Sequence, residues 1–200
     1  MAKTAEIELK AHVKNSNACK KKISAIAGEG TAFSKDDTYW FAPAVLHYFS
    51  GPRVRQETKE QSIKTTVTWK NKEKRAGLEV NDEHEFEVTG GREFEELLVL
   101  LGLEKQIIKH KQGWAWQYDG ITIELCEVYG SVKKNSKKNN SQKQGQEKKL
   151  GWFLELEIIA GEDSDVTVAS ARDKLLVLLE KADIGKENIE SRYYAEMLAE

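Results

Sequence analysis

Cysteine is scarce in this 200-residue chain: Cys19 and Cys126 are the two present. Two cysteines make no disulfide framework, and their spacing matches no zinc motif. That points to a reducing compartment, and the chain is expected to be cytoplasmic. A surplus of charge is missing too. Lys and Arg number 31 against 33 Asp and Glu, for a formal net charge of −2. Proteins that coat duplex DNA carry a clear basic surplus, so no nucleic-acid partner is expected. Long apolar runs are also lacking, which leaves no candidate for a membrane-spanning helix. Met1-Ala-Lys-Thr-Ala5 has neither an apolar core nor a cleavage site, so no signal peptide is expected there.

What the chain has in abundance is charge of both signs, at 32% of residues, and much of it alternates with apolar residues. Period-two alternation marks strands with two distinct faces. Glu6 to Lys10 alternates strictly, and Arg53 to Lys59 more loosely. Ile63 to Lys70 is rich in β-branched residues, and Glu83 to Val88 sets three carboxylates on one face. Gln106 to Lys111 and Trp114 to Tyr118 read as paired strands around Gln112-Gly113. Asp119-Gly120 is a hairpin signal leading into Ile121 to Val128, and Trp152 to Ile159 is the last strand. Helical spacing appears at Ala18–Ile26, Arg92–Leu101 and Val168–Lys181, with a terminal turn or helix in Ser191–Ala199. About eight strands, mostly hairpin-linked, predict a mainly β, α+β fold: an antiparallel eight-stranded barrel with flanking helices, in one domain spanning 1–200. Residues 131–149 hold seven lysines and almost nothing apolar, so they are expected to form a solvated, flexible loop.

Strand parity gathers the charges. Glu6, Glu8 and Lys10 oppose Ile7 and Leu9; Glu155 and Glu157 oppose Leu154 and Leu156; Glu83, Glu85 and Glu87 oppose Phe86 and Val88. A wet outer face would explain this from composition alone. The mixture of signs favours an inverted arrangement, with charged faces lining a polar lumen and apolar faces packed under helices. Arg53, Arg55, Lys64, Lys70, Lys109 and Lys111 supply the bases to match those acids. Such a lumen suits a phosphate chain, because Lys and Arg neutralise its oxygens while carboxylates hold the divalent cations that bridge them.

Glu6-Ile-Glu-Leu-Lys10 resembles the Glu-x-Glu-x-Lys signature of the CYTH superfamily, the triphosphate tunnel metalloenzymes. Later segments resemble that family in order: Asp37-Thr-Tyr39, Arg53-Val-Arg55, Thr68-Trp-Lys70, Glu85-Phe-Glu87 and Gly151-Trp-Phe-Leu-Glu-Leu-Glu157. The ending Ser191 to Leu198 is similar to the tail of the class IV adenylyl cyclase branch.

The resemblance implies a closed tunnel barrel and a role for each matching residue. Glu6, Glu8, Glu155 and Glu157 would hold Mg²⁺ or Mn²⁺, with Glu6, Glu8 and Lys10 at the catalytic centre. Lys10, Arg53, Arg55, Lys70, Lys109 and Lys111 would grip a small-molecule triphosphate, and Glu85 and Glu87 would line the tunnel. Two positions depart from the pattern. Cys126 stands where the family has Asp, and a thiol is a poor ligand for a hard cation; Glu124, of the same parity, is the substitute expected to bind metal. Lys111 stands where the family has Arg, keeping the charge without the planar fork. Three functions stay open: a metal-dependent triphosphatase, a class IV adenylyl cyclase, and a non-catalytic triphosphate- or polyphosphate-binding module. An exposed strand and the terminal helix leave room for a homodimer.

Overall fold

The computed structural model describes residues 5–42, 51–60, 62–75, 77–133, 145–161 and 164–200. Among them lie eight strands: β1 (Ala5–Val13), β2 (Thr31–Phe41), β3 (Arg53–Lys59), β4 (Ser62–Arg75), β5 (Leu78–Glu87), β6 (Glu104–Tyr118), β7 (Ile121–Val132) and β8 (Lys148–Ala160). They close into a barrel in the order β1-β5-β4-β3-β2-β6-β7-β8, with every neighbouring pair antiparallel. The expected eight-stranded barrel is therefore present, although its strands are composed differently. Gln106–Lys111 and Trp114–Tyr118 are one continuous strand, β6, rather than a pair around Gln112-Gly113. The glycine marks close packing instead of a turn, since a Cβ at Gly113 would stand 2.0 Å from the Leu125 carbonyl oxygen on β7. The eighth strand is β2, whose pairing with β6 shifts register beside Tyr39 and Trp40, where Gln106 of β6 is the extra residue.

The hairpin signal at Asp119-Gly120 holds. Both residues have positive φ, 51° and 74°, as a two-residue turn matched to strand twist requires. The lysine-rich segment is shorter than its composition suggests: Ser131 and Val132 belong to β7, and Lys148 and Lys149 to β8. Residues 134–144 lie outside the described residues.

Four helices flank the barrel: α1 (Ser16–Ala27), α2 (Gly91–Leu100), α3 (Asp165–Lys181) and α4 (Tyr194–Ala199). Asn15 caps α1 by accepting from the Ala18 N–H at 3.0 Å, and Ser164 caps α3 by accepting from Thr167 at 3.2 Å. The main core lies outside the barrel wall. Ile7, Leu9, Leu154 and Leu156 point away from the lumen and pack with Ile23 of α1 and Leu175 and Leu179 of α3. Each of these is fully buried or nearly so, a contribution of about 1.5–3 kcal/mol apiece. Because the apolar faces are consumed on the outside, the alternate side chains of the same strands must face inward. The short α4 closes one end of the barrel, where Tyr194, Met197 and Leu198 pack with Phe33, Phe153, Ile107 and Phe41.

Candidate active site

The inward faces enclose a cavity of about 480 Å³ whose walls are almost entirely ionisable. Its bases sit on β2, β3, β4 and β6, and its acids mostly on β1, β5, β7 and β8.

One buried cluster centres on Asp37. Its carboxylate accepts from Arg55 Nε at 2.6 Å and Nη2 at 2.9 Å, and Lys109 Nζ lies 3.0 Å away. Lys109 also donates to the Tyr39 hydroxyl at 3.0 Å. Burial alone would raise the Asp37 carboxyl, but Arg55 and Lys109 outweigh it and hold the group well below the usual carboxylate range.

A second cluster joins four strands and α4. Lys111 Nζ donates to Glu124 Oε2 at 2.8 Å and to Glu155 Oε2 at 2.5 Å. Lys35 also donates to Glu124, and the Tyr194 hydroxyl donates to Glu155. Against the cost of burial, Lys111 holds both carboxyls below their ordinary value.

The third cluster is Lys70, which donates to Glu6 at 2.7 and 2.9 Å and pairs with Glu83 at 2.5 Å. Burial opposes ionisation of Glu83, yet its contacts with Glu6, Lys70 and Arg53 bring it down to about 2. Arg53 donates through Nη2 to Thr68 at 2.8 Å. Its Nε–H is buried and has no hydrogen-bond partner among the described residues.

Glu8 and Glu157 differ from these. They stand directly opposite each other on β1 and β8, and among the described residues no lysine or arginine bonds to either. Burial, then Glu79 and Glu155, pushes Glu8 up to about 8. Burial, then Glu6, pushes Glu157 up to about 7.

The sequence-predicted residues therefore divide. Glu6, Glu8, Arg53, Arg55, Lys70, Glu85, Lys109, Lys111, Glu124, Glu155 and Glu157 all line the cavity. Lys10 does not. It is buried against the ring of Tyr194, 4.7 Å from its centroid, and pairs with Glu79 at 2.7 Å. Glu87 also lies outside: its side chain is 65% exposed and sits 3.6 Å from Lys64, itself half exposed. Cys126 is fully buried beside Phe33, Val128 and Phe153, with Sγ 3.7 Å from Glu155 Oε1. Burial and then Glu155 push its thiol well up, so it stays neutral. Sequence reasoning missed Lys35, Lys72 and Glu79, and left Asp37 without a role. The signal was available in the alternation Lys35-Asp37-Tyr39 and in the continuation of Lys70 to Lys72.

Whether this lumen suits a divalent cation turns on Glu8 and Glu157. Two facing carboxylates with raised proton affinity and only oxygen donors fit a hard cation chemically. Among the described residues, however, no three acidic, His or Cys side chains are gathered around one point as ligands.

No protein-family profile matches the chain, and no curated protein matches it in sequence. Solved structures do. The PH1819 protein from Pyrococcus horikoshii OT3 superposes with a TM-score of 0.74 at 21% identity, covering 97% of this chain and 98% of that one. A candidate adenylate cyclase from Vibrio parahaemolyticus gives 0.70 at 18% identity, over 98% of each chain. HpAC1 from Hippeastrum, a candidate adenylyl cyclase with a dominant triphosphatase activity, gives 0.59 at 11%, over 98% and 95%. The chain thus shares the closed-barrel fold of these structures, and identities this low establish the fold alone.

Proposed function

We propose that this chain is a metal-dependent enzyme that processes a triphosphate inside the barrel, hydrolysing a phosphoanhydride of tripolyphosphate or of a nucleoside or thiamine triphosphate. The observation that carries the reading is the lumen itself. Five bases — Arg53, Arg55, Lys70, Lys109 and Lys111 — converge on one cavity inside the barrel, beside carboxylates that burial has left short of positive charge. Structural relatives named for cyclase and triphosphatase chemistry support it.

Phosphoryl transfer asks little covalent help of a protein; it needs positioning and charge neutralisation. Arg53 lines the cavity with a buried Nε–H that has no partner among the described residues, a donor that a phosphate oxygen reaching it would satisfy. Lys70 and Lys111 each bridge two carboxylates, so a phosphate chain competes with those acids for them. Arg55 stays fixed to Asp37 and acts as a rigid positive wall. Glu6, Glu8 and Glu157 are the residues that would hold Mg²⁺ or Mn²⁺. When bound, such an ion neutralises non-bridging oxygens and acidifies a water. Enclosure by α4 at one end keeps bulk solvent from the buried bases, which strengthens each contact.

A class IV adenylyl cyclase is the second reading, favoured by the names of the structural relatives. The test is turnover of tripolyphosphate, ATP and thiamine triphosphate with Mg²⁺ and with Mn²⁺, assaying phosphate, pyrophosphate and cyclic AMP together. Wild type turns over at least one of them, and Glu6→Gln and Glu157→Gln abolish it; the product names the reaction. Binding without turnover on every substrate rejects the enzymatic reading in favour of a binding module.

A further inference from the structure

Along β8 the side chains on the inward parity run Phe153, Glu155, Glu157, Ile159. The first two are covered by α4. Tyr194 sets its ring against Phe153 at 5.0 Å and donates to Glu155, while Lys148, at the start of the strand, donates to the Met197 carbonyl at 2.7 Å. Ile159 lies six positions past Phe153, roughly 20 Å along the strand, and so at the opposite end of the barrel from α4. There the alternation breaks. Leu154, Leu156 and Ile158 already supply the outward apolar face, and the lumen positions before Ile159 are both carboxylates. Ile159 nevertheless lines the cavity, and it is 60% exposed. Among the described residues the other aliphatic side chain in the lining is Ala195, on α4; the rest are charged, or are Thr122 and three tyrosines.

We propose that Ile159 seats the organic group of the substrate. The triphosphate enters with its free phosphate end toward α4, and a nucleoside or thiamine ring stays at the mouth on Ile159. This assignment rests on the triphosphate reading above and narrows the substrate from any triphosphate to an organic one. Charge sets the direction of entry. Positive side chains continue to the closed end, where Lys72 lies 4.6 Å from the Tyr193 ring and Lys109 5.1 Å from the Tyr194 ring, so the polyanionic end is drawn inward. Polarity sets what stays outside. Glu6 stands directly opposite Ile159, and Glu157 is two positions away on the same face. A bare phosphate at that level meets two carboxylates and a side chain with no donor, whereas a ring covers aliphatic surface and gains by it. Spacing agrees as well. Ile159 is roughly 7 Å along the strand from Glu157, within reach of a ring joined to a phosphate held beside that carboxylate. Thr122, opposite Glu157, accepts from Gln117 at 3.0 Å, which leaves its own O–H to donate to a ring nitrogen or a hydroxyl. Tripolyphosphate uses none of these groups.

ATP, thiamine triphosphate and tripolyphosphate, compared on wild type, Ile159→Val and Ile159→Ser, test the proposal. Titration calorimetry in chelator reads binding apart from metal-dependent turnover, and initial rates with Mg²⁺ give KM and kcat. Ile159→Ser is expected to raise Kd and KM about tenfold for at least one of the two organic triphosphates, the usual cost of a lost apolar contact in a site. Ile159→Val is expected to fall between, and tripolyphosphate to change less than about twofold in either variant. Val166→Ser, at an exposed valine on α3, is expected to match wild type on every ligand, and melting of each variant checks that it is folded. Equal losses on all three ligands overturn the proposal, as does a folded Ile159→Ser that treats both organic triphosphates as wild type does. A wild type that takes tripolyphosphate and neither organic triphosphate also overturns it, while leaving the triphosphate reading intact. A wild type that neither binds nor turns over any of the three overturns that reading itself, and this assignment with it.

Discussion

Arg55 grips Asp37 with two parallel hydrogen bonds, Nε at 2.6 Å and Nη2 at 2.9 Å, inside a barrel where Asp37 is 1% exposed. Lys109 shares the same carboxylate. Replacing Asp37 by Asn leaves two buried cations without their shared counter-ion, a defect costing about 3–5 kcal/mol. Thermal melting of Asp37→Asn should therefore fall by roughly 6–20 °C. The sign with pH follows from the depressed carboxyl. Its stabilisation is complete above the ordinary value of 3.8 and is lost as pH falls below that toward the folded value. The gap between wild type and variant should stay constant across neutral pH and close only in strong acid. A gap that closes near neutrality sinks this account.

Glu8 and Glu157 oppose each other across β1 and β8, with no base among the described residues bonded to either. In metal-free protein Glu8, pushed up to about 8, must take up a proton to fold at neutral pH; Glu8→Gln needs none, so it should stabilise by about 1–2 kcal/mol there, a gain that vanishes as pH falls below the ordinary carboxylate value. Melting in chelator checks this, and a loss of stability would refute it. Added Mg²⁺ or Mn²⁺ should raise the wild-type midpoint, since a ligand for the folded state stabilises by mass action. Glu8→Gln should show a smaller rise, together with impaired turnover.

The sequence carried the barrel and most of the lumen because parity decides which side of a strand faces in. Glu6, Glu8, Glu155 and Glu157 had to share a face once Ile7, Leu9, Leu154 and Leu156 shared the other. Parity fits β2 as well, with Lys35 and Tyr39 lining the cavity and Trp40 packed beside Leu98 of α2, but the polar run Ser34 to Thr38 carries too little apolar content to announce a strand by itself. Parity could not tell how far a strand runs beyond the barrel's interior. Glu87 has the right parity and still emerges at the rim. Nor could it see that Lys10 is covered by Tyr194, a residue 184 positions away that reaches the lumen only through the docking of α4. Such contacts depend on the packing of distant segments, which no local pattern records.

Cys126 stands where an acid is expected from the family resemblance, and its surroundings argue against restoring one. Phe33, Val128 and Phe153 pack around it, and Glu155 Oε1 is 3.7 Å from Sγ. Cys126→Asp would place a carboxylate among aromatic rings beside a like charge, costing about 3 kcal/mol or more. Cys126→Ala should cost about 1 kcal/mol, the loss of one small packed group. Denaturant unfolding of the two variants separates them. An Asp variant as stable as wild type, with tighter metal binding, would mean the lumen extends to this position.

Tyr194 ties α4 to the site by two distinct means, and two substitutions should resolve them. Its hydroxyl donates to Glu155. Its ring packs edge-on to Phe153 at 5.0 Å, with Lys10 at 4.7 Å and Lys109 at 5.1 Å from its centroid. Tyr194→Phe removes only the donor, and Glu155 keeps Lys111 at 2.5 Å, so the loss should be about 1–2 kcal/mol with α4 still seated. Tyr194→Ala removes the ring as well, leaving a cavity under two buried lysines and costing about 3–5 kcal/mol. Amide exchange of residues 194–199 should then rise sharply in the Ala variant and little in the Phe variant. Equal exchange in both would mean that the hydroxyl, rather than the ring, holds the closed end of the barrel. Turnover by the Phe variant distinguishes further, because it leaves every cavity base in place while freeing one Glu155 oxygen. A rate close to wild type would assign Tyr194 to closing the lumen, whereas a large fall would place its hydroxyl among the groups that position Glu155 for the reaction.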